Sequence, residues 1–532
     1  MSSLVRSPRS SSAAVALLWI LTGCIPGHRR VNAPSPRGGD LPESERVAHV
    51  LSRLTFGARP GDAERVASMG VNRWIEEQLH PERIDDSIAV AALKPLAAWS
   101  QPTSEAAQVL TGDSKVLSAV AARPLPTTAA GRDSLAVLLK TVRIVINPND
   151  QFFAGKIVRA QVSERQLEEV VADFWENHFS VFTGKMPGRE ALIVWDRDVL
   201  RPHALGKFRE LLGAVAHSPA MLFYLDNQLS RRGALNENYA RELMELHTLG
   251  VDGGYTQQDV IEVARALTGW TIDQARTPRT FVFRPANHDT GPKTVLGHML
   301  AGGRGIEDGE EVLDIVARHP STARFISFKL ARRLVSDEPP ASLVDRAAAT
   351  FTRTDGDIRE VVRTIVTSPE FFSRAAFRSK VKTPFELVVS VRRAFEAPAD
   401  TTPATARQLA QLGQPMFGVQ TPDGWPDKAT AWVNSGTIFQ RIKLGADASN
   451  NRPPFSRVEK WRGWADLSTA PAERQADGVI RLLLGGVADT TLRQALLAAG
   501  DGSPAGNDIA AGSRRLREML SIALGSPEFQ RR

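Results

Sequence analysis

Asn236-Glu237-Asn238-Tyr239-Ala240-Arg241-Glu242-Leu243-Met244-Glu245-Leu246-His247-Thr248-Leu249-Gly250 is the stretch from which the fold class is read. At about 100° per residue Tyr239, Ala240, Leu243, Leu246 and His247 share one face, while Arg241 and Glu245 lie opposite. Glu237, Arg241 and Glu245 are spaced for i,i+4 pairs, which support the helix and need no further role. A glycine follows, as expected at a helix end. The same apolar period recurs along almost the whole chain and β-branched alternation is rare. The expected fold is therefore predominantly α, a multi-helix globular bundle.

Working outward, a helix from Ser163 carries the apolar face Leu167, Val170, Val171, Phe174, Trp175, with Ser163 and Gln166 spaced as a capping box. Thr256 and Asp259 repeat that signature. Helices are also expected at 134–147, 310–317, 321–335 and 384–395, among others. One short β-hairpin is expected near 281–296, Phe281-Val282-Phe283 facing Thr294-Val295-Leu296, with His288 and Asp289 in its connection. The Pro/Ala/Thr-rich stretch 397–405 divides a main helical domain, 43–396, from a smaller helical C-terminal part, 397–532. Arg209-Glu210-Leu211-Leu212, Arg359-Glu360-Val361-Val362 and Arg517-Glu518-Met519-Leu520 are each followed by Ser-Pro, at Ser218, Ser368 and Ser526, a recurrence that shared capping chemistry explains.

The N-terminus decides the compartment. Arg6 and Arg9 precede an apolar run from Ala13 to Leu21, too short to span a bilayer, and the chain continues Leu21-Thr22-Gly23-Cys24. Small residues before a cysteine have the form of a lipobox. Residues 1–23 are then a lipoprotein signal peptide, Cys24 is the acylated residue, and 24–42 form a disordered tether. The membrane is the first expected partner, through the lipid on Cys24, and Ile25 in place of aspartate favours the outer membrane of the cell envelope over the inner. Cys24 is the single cysteine of the chain, which excludes an internal disulfide or a multi-cysteine metal site. The formal charge of +7 falls to +5 on loss of Arg6 and Arg9. Dispersed basic residues on an exported chain argue against nucleic acid as a partner. The densest basic group, Arg318, Arg324, Lys329, Arg332 and Arg333, reads as a solvated helix face, with an anionic-ligand patch as the alternative.

Chemistry is expected where patterning departs from plain packing. His178 is the next position in the Leu167–Trp175 stripe, and His247 also faces inward, so each is either hydrogen-bonded or a ligand. Together with His288 they form a candidate nitrogen set for a divalent metal, with Glu242 or Asp289 as carboxylate or general base and Tyr239 as a hydroxyl on the inward face. Nucleophile elbows, Walker loops and dinucleotide fingerprints are absent. The other reading is a binding or assembly protein that presents the Gly424-Trp425-Pro426 and Trp432 loops to a protein partner or a glycan.

The Asn236–Gly250 run, Tyr255-Thr256-Gln257-Gln258-Asp259-Val260 and Ala266-Leu267-Thr268-Gly269-Trp270 resemble the bacterial family of domain of unknown function 1800. Supporting pieces are His49-Val50-Leu51-Ser52-Arg53-Leu54-Thr55-Phe56-Gly57, Phe174-Trp175-Glu176-Asn177-His178-Phe179, Lys382-Thr383-Pro384-Phe385-Glu386 and Gly424-Trp425-Pro426. The resemblance implies an exported, mostly helical protein, often encoded beside a second exported protein of sulfatase-like fold, and supplies no reaction. The function expected is that of an envelope lipoprotein that binds or assembles with another exported protein, with a metal-dependent hydrolase or oxidase as the alternative.

Overall fold

Ser163, Glu164 and Arg165 interrupt what the apolar pattern alone would make one long helix. In the computed structural model Pro148–Val162 and Gln166–His178 are separate helices. The expected capping box at Ser163 does not form: its hydroxyl donates to Asp86 at 3.1 Å and accepts from Arg165 N–H at 3.1 Å, two residues on and not three, while the Asp86 carboxylate also takes the Glu164 N–H at 2.9 Å. Gln166 instead accepts from Phe56 N–H and donates to the Ser163 and Ala160 carbonyls, tying the helix start to the N-terminal segment. The second box forms as expected, Thr256 and Asp259 each accepting from the other's backbone N–H.

The structure describes residues 40–106, 148–187, 190–455, 458–499 and 509–532, with Thr128, Gly131, Asp133 and Ser134. Cys24, the tether up to residue 39 and the expected 134–147 helix, Ser134 apart, lie outside the described residues. The chain is mostly helical, and its apolar core is continuous from Val47 to Phe529. Trp175 shows how the core is built. Its ring meets Phe174, Phe179 and Phe208 at centroid distances of 4.8, 5.7 and 5.9 Å, and its indole N–H donates to the Ala204 carbonyl at 2.9 Å. Burying such a side chain contributes about 2–3 kcal/mol once its polar atom is satisfied. Among the described residues no helix is long and apolar enough to cross a membrane.

The expected pairing of 281–283 with 294–296 is replaced by two separate antiparallel pairs. β1 (Trp270–Asp273) pairs with β2 (Thr280–Phe283), Ile272 opposite Phe281, and β3 (Lys293–Val295) pairs with β4 (His298–Leu300), Val295 opposite His298. The second turn has only Leu296 and Gly297, at φ 49° and 81°, the handedness that a two-residue hairpin requires. Leu-Gly is an unusual filling for it, which hides the turn from a sequence reading.

Of the recurrent segments, the helices Phe208–Ala216 and Ile358–Val366 begin side by side. Phe208 N–H donates to Gly356 O at 2.8 Å and Ile358 N–H to Gly206 O at 3.0 Å. The Ser368 and Ser526 hydroxyls accept from the N–H three residues on, as Ser-Pro caps do, whereas the Ser218 side chain makes no such bond. In the C-terminal part Ser435–Ser449 packs on Ile509–Gly525, with Gly445 against Leu524. The last residue then pairs with Lys380 through two backbone hydrogen bonds, at 3.2 and 2.8 Å.

Candidate functional site

Four stretches supply most of the lining of a cavity of about 350 Å³, which Lys156, Thr383 and Phe385 complete. The end of the Gln166–His178 helix supplies Phe174, Asn177 and His178, and Pro320–Leu334 supplies Phe325, Phe328, Lys329 and Arg332. Glu245 and Leu246 come from the Asn236 segment, and Phe417, Asp423, Trp425 and Asp427 from the loop that follows residue 413. Local chemistry places each of them. His319 caps the Pro320–Leu334 helix by accepting from Ser321 N–H at 3.1 Å, with Pro320 at its first position. The Trp425 backbone is clasped by Asn177, whose amide oxygen accepts from Trp425 N–H at 2.7 Å and whose NH₂ donates to Trp425 O at 2.8 Å. Gly424, at φ 75°, lies directly against the Asn177 backbone and is the reason the loop approaches so closely.

The Asn236 stretch is a helix over Asn238–Glu242 that widens into a π-helical turn over Leu243–Thr248, with Leu249 N–H bonding back to Met244 O at 2.8 Å. This widening rotates the register beyond Leu243. Met244, His247 and Thr248 point inward, while Glu245 and Leu246, expected on opposite faces, both reach the cavity.

His178 is buried at the cavity wall. Its Nε2 faces the His247 carbonyl at 3.1 Å, and its Nδ1 accepts from Lys329 Nζ at 2.8 Å. A carbonyl only accepts, so the network assigns the ring proton to Nε2 and leaves Nδ1 as the lone pair. Burial first, then the Lys329 charge, holds His178 well below the ordinary histidine range. Burial also lowers Lys329 to about 8, with Asp427 and Asp423 opposing the shift and Arg332 adding to it. Among the described residues no carboxylate oxygen lies within 4.0 Å of Lys329. Behind this pair the His247 ring is fully enclosed against Phe179 at 5.1 Å, neither nitrogen has a partner, and burial lowers its pKa to about 3. At the other end Lys156 bridges Glu176 and Asp173. Burial works against its charge, but the two carboxylates prevail and hold it above the ordinary lysine range.

The structure brings His178 and His247 together, with ring centroids 6.2 Å apart, and places His288 in a different network. His288 Nδ1 meets Thr268 O at 2.8 Å and Nε2 meets Asp308 at 3.2 Å, where Lys293 also bonds at 2.6 Å. Both of its nitrogens are engaged, as are both of His178. The three histidines therefore do not make one ligand set, and among the described residues no group of three or more His, Cys, Asp or Glu side chains is placed to hold a metal ion. Asp289 is held by Arg265 at 2.9 and 3.1 Å, which keeps its carboxyl down at about 2 and occupies both oxygens. Tyr239 is enclosed with its hydroxyl unpartnered, and burial raises its pKa. Glu242 is half-buried, raised by burial and then by Glu245, and lies off the cavity lining.

Lys329, expected on a solvated helix face, instead lines the cavity. Arg318 and Arg324 are exposed as expected, but Lys329 and Arg333 point inward, Arg333 pairing with Asp173 at 3.0 Å and Glu386 at 2.7 Å. The signal was present. Ile326, Leu330 and Arg333 are buried on one side of the helix, and Lys329, half-buried and three residues after Ile326, borders that side where the cavity opens. The tryptophan loops also differ from an exposed binding surface. Trp432 is buried, its indole donating to Pro426 O at 2.9 Å, and Trp425 is half-buried at the cavity, 5.7 Å from Trp432 between ring centroids.

A family model described as protein of unknown function (DUF1800) matches residues 49–531, and the chain belongs to that family. Neither a curated protein nor a solved structure matches it.

Proposed function

We propose that this chain is an exported, lipid-anchored protein that binds a small acidic molecule, such as an acidic sugar, in the cavity beside Lys329. The observation that carries the reading is the lysine itself: a half-buried ammonium at the cavity wall whose hydrogen bond goes to a neutral histidine and which has no carboxylate within 4.0 Å among the described residues. An unpaired charge drawn partly out of water is costly, and a bound anion is the partner that would offset the cost. Phe174, Phe325 and Trp425 provide the apolar walls against which the body of such a molecule would lie. A metal-centred reaction, the alternative raised by the sequence, has no ligand set among the described residues to support it.

Calorimetric titration of a panel of small carboxylates, phosphates and acidic sugars tests the binding. At least one should bind, Lys329→Arg should retain the affinity, and Lys329→Met should lose it by roughly tenfold or more. Wild-type protein that binds none of them, or equal binding by Lys329→Met, would overturn the reading. The anchor belongs to the same proposal and rests on the Leu21-Thr22-Gly23-Cys24 pattern. Cys24→Ser should move the protein from the membrane fraction to the soluble fraction of the envelope, and a variant that still sediments with membranes would refute the lipid on Cys24. An exported sulfatase-like protein is the expected neighbour of the anchored chain.

A further inference from the structure

We propose that Lys329 is a nucleophile, and that the cavity takes an acid that also bears an aldehyde or ketone and holds it as an imine on Nζ. The inference rests on the binding reading above and adds the fate of the bound molecule.

The geometry around Nζ is that of an amine with a proton acceptor already in place. His178 Nε2 is committed to the His247 carbonyl, which belongs to the last turn of its helix and so has no backbone N–H to take. This fixes the tautomer and aims the Nδ1 lone pair at Nζ, 2.8 Å away. The phenyl ring of Phe325 lies 5.4 Å from Nζ and helps to exclude water from one side. The charged and titratable groups that face the lysine are Arg332 on its own helix, Asp423 and Asp427 on the Trp425 loop, Glu245 across the cavity, and His178 with His247 behind it. The Lys329 ammonium receives the carboxylate of the bound acid during entry, and Arg332, which already donates to Asp337 O at 3.0 Å and lies over the Phe328 ring, adds positive charge at the cavity wall. Burial leaves about a tenth of the amine unprotonated at pH 7, far more than an ordinary lysine has, and a nucleophilic lysine requires that free-amine fraction.

The step balances without any oxidant or metal. Lys329 in its free-amine form uses its lone pair to make the N–C bond at the carbonyl carbon, and the carbonyl π pair becomes an alkoxide. The N–H proton, made acidic by bond formation, passes through His178 Nδ1 to that alkoxide and gives a neutral carbinolamine. Loss of the hydroxyl with the remaining N–H proton, as water, leaves the imine. One amine and one carbonyl have become one imine and one water.

The test uses the full chain purified in detergent, incubated at pH 7 with glyoxylate or pyruvate and sodium cyanoborohydride, and mapped by peptide mass spectrometry. The expected result is a carboxymethyl or carboxyethyl group on Lys329, formed about a hundredfold faster than on a surface lysine, whose free-amine fraction at that pH is far smaller. The labelling rate at Lys329 should level off above about pH 8 while surface labelling keeps climbing. Lys329→Arg should give no adduct yet still bind lactate, the carbonyl-free analogue of pyruvate. His178→Gln should lose at least tenfold in adduct rate. Labelling spread evenly over the lysines, with lactate binding intact, would overturn the nucleophile and leave the binding reading standing. A Lys329 adduct with no measurable lactate binding would support the nucleophile and count against the binding reading.

Discussion

His247 presents two ring nitrogens to the interior and has a partner for neither, and Lys329 presents an ammonium whose neighbour is a neutral ring. Both cost stability, and pH tells them apart. The folded chain holds His247 neutral down to about pH 3, whereas the unfolded chain protonates it near 6.5. Between those values the unfolded state binds the extra proton, so stability falls as pH falls, by about 1.4 kcal/mol per pH unit. His49 and His178, both held well below the ordinary range by burial, contribute in the same direction. His247→Phe should remove one share of this acid sensitivity, about 3 kcal/mol at pH 4.5, read as a smaller drop in urea midpoint between pH 7 and 4.5 than the parent shows. Lys329 acts at the other end of the scale. Its folded value of about 8 lies below the unfolded value of 10.5, so the unfolded state carries the extra proton between them and stability rises as pH rises through that window. Lys329→Met should therefore stabilise the protein at pH 7 by about 1–3 kcal/mol, a gain that fades by about pH 10.5. A variant less stable than the parent at pH 7 would mean that the charge has a partner after all.

At the scale of elements, the cavity depends on a helix end and a loop that have no reason to meet except Asn177. Its amide mimics one rung of a β-ladder for Trp425, and Gly424 gives the close approach. A Cβ on Gly424 would run into the Asn177 carbonyl and stand 2.8 Å from its amide oxygen, at a φ that side chains adopt with strain. Gly424→Ala should cost about 1–3 kcal/mol and open the Trp425 wall, seen as a red-shifted tryptophan emission and weaker ligand binding. Unchanged emission and affinity would show that the loop position does not depend on the clasp. This juxtaposition also marks how far the sequence could be read. Inward histidines followed from the helical period, because burial on one face is a local property. The Asn177 clasp joins residues 248 positions apart and has no local signature. The π-turn was hidden too, since a single widened turn leaves no periodic trace, and it carried Glu245 from the solvent face to the cavity. Thr294-Val295-Leu296 alternates as a strand should, but alternation does not name its partner, and β4 was closer. A charged residue in a basic helix is usually solvated, which masks Lys329, although its spacing three residues after Ile326 and its place beside Leu330 put it at the border of the buried stripe.

For the whole molecule, the cavity floor is a chain of buried ion pairs that reaches from Lys156 to the last residue. Lys156 meets Asp173 at 3.0 Å, Asp173 meets Arg333 at 3.0 Å, Arg333 meets Glu386 at 2.7 Å, and Glu386 meets Arg532 at 3.0 Å. Glu386 is the hinge of this chain. One of its carboxylate oxygens serves both guanidinium groups, and the other accepts from Thr383 N–H at 2.8 Å to close a capping box. Neutralising it in Glu386→Gln would preserve the shape but leave Arg333 with Asp173 alone and the buried Arg532 without its carboxylate, a loss of about 3–5 kcal/mol. The exposed pair Arg324 with Asp345 is the control, since Asp345→Asn should cost no more than about 0.5 kcal/mol. The form of the unfolding curve carries more than its midpoint. Arg532 lies beyond the boundary expected near residue 397, and Asp173 and Arg333 lie before it, so the network would cross that boundary. If the two parts unfold as one unit, Glu386→Gln should shift a single transition, with tryptophan fluorescence and far-ultraviolet circular dichroism moving together. If the C-terminal part is independent, the same variant should split the curve, an early transition releasing the C-terminal helices while the Trp175 core remains folded. Because the pairs are buried, either pattern should persist at 1 M salt, where the Debye length is about 3 Å and surface pairs no longer contribute.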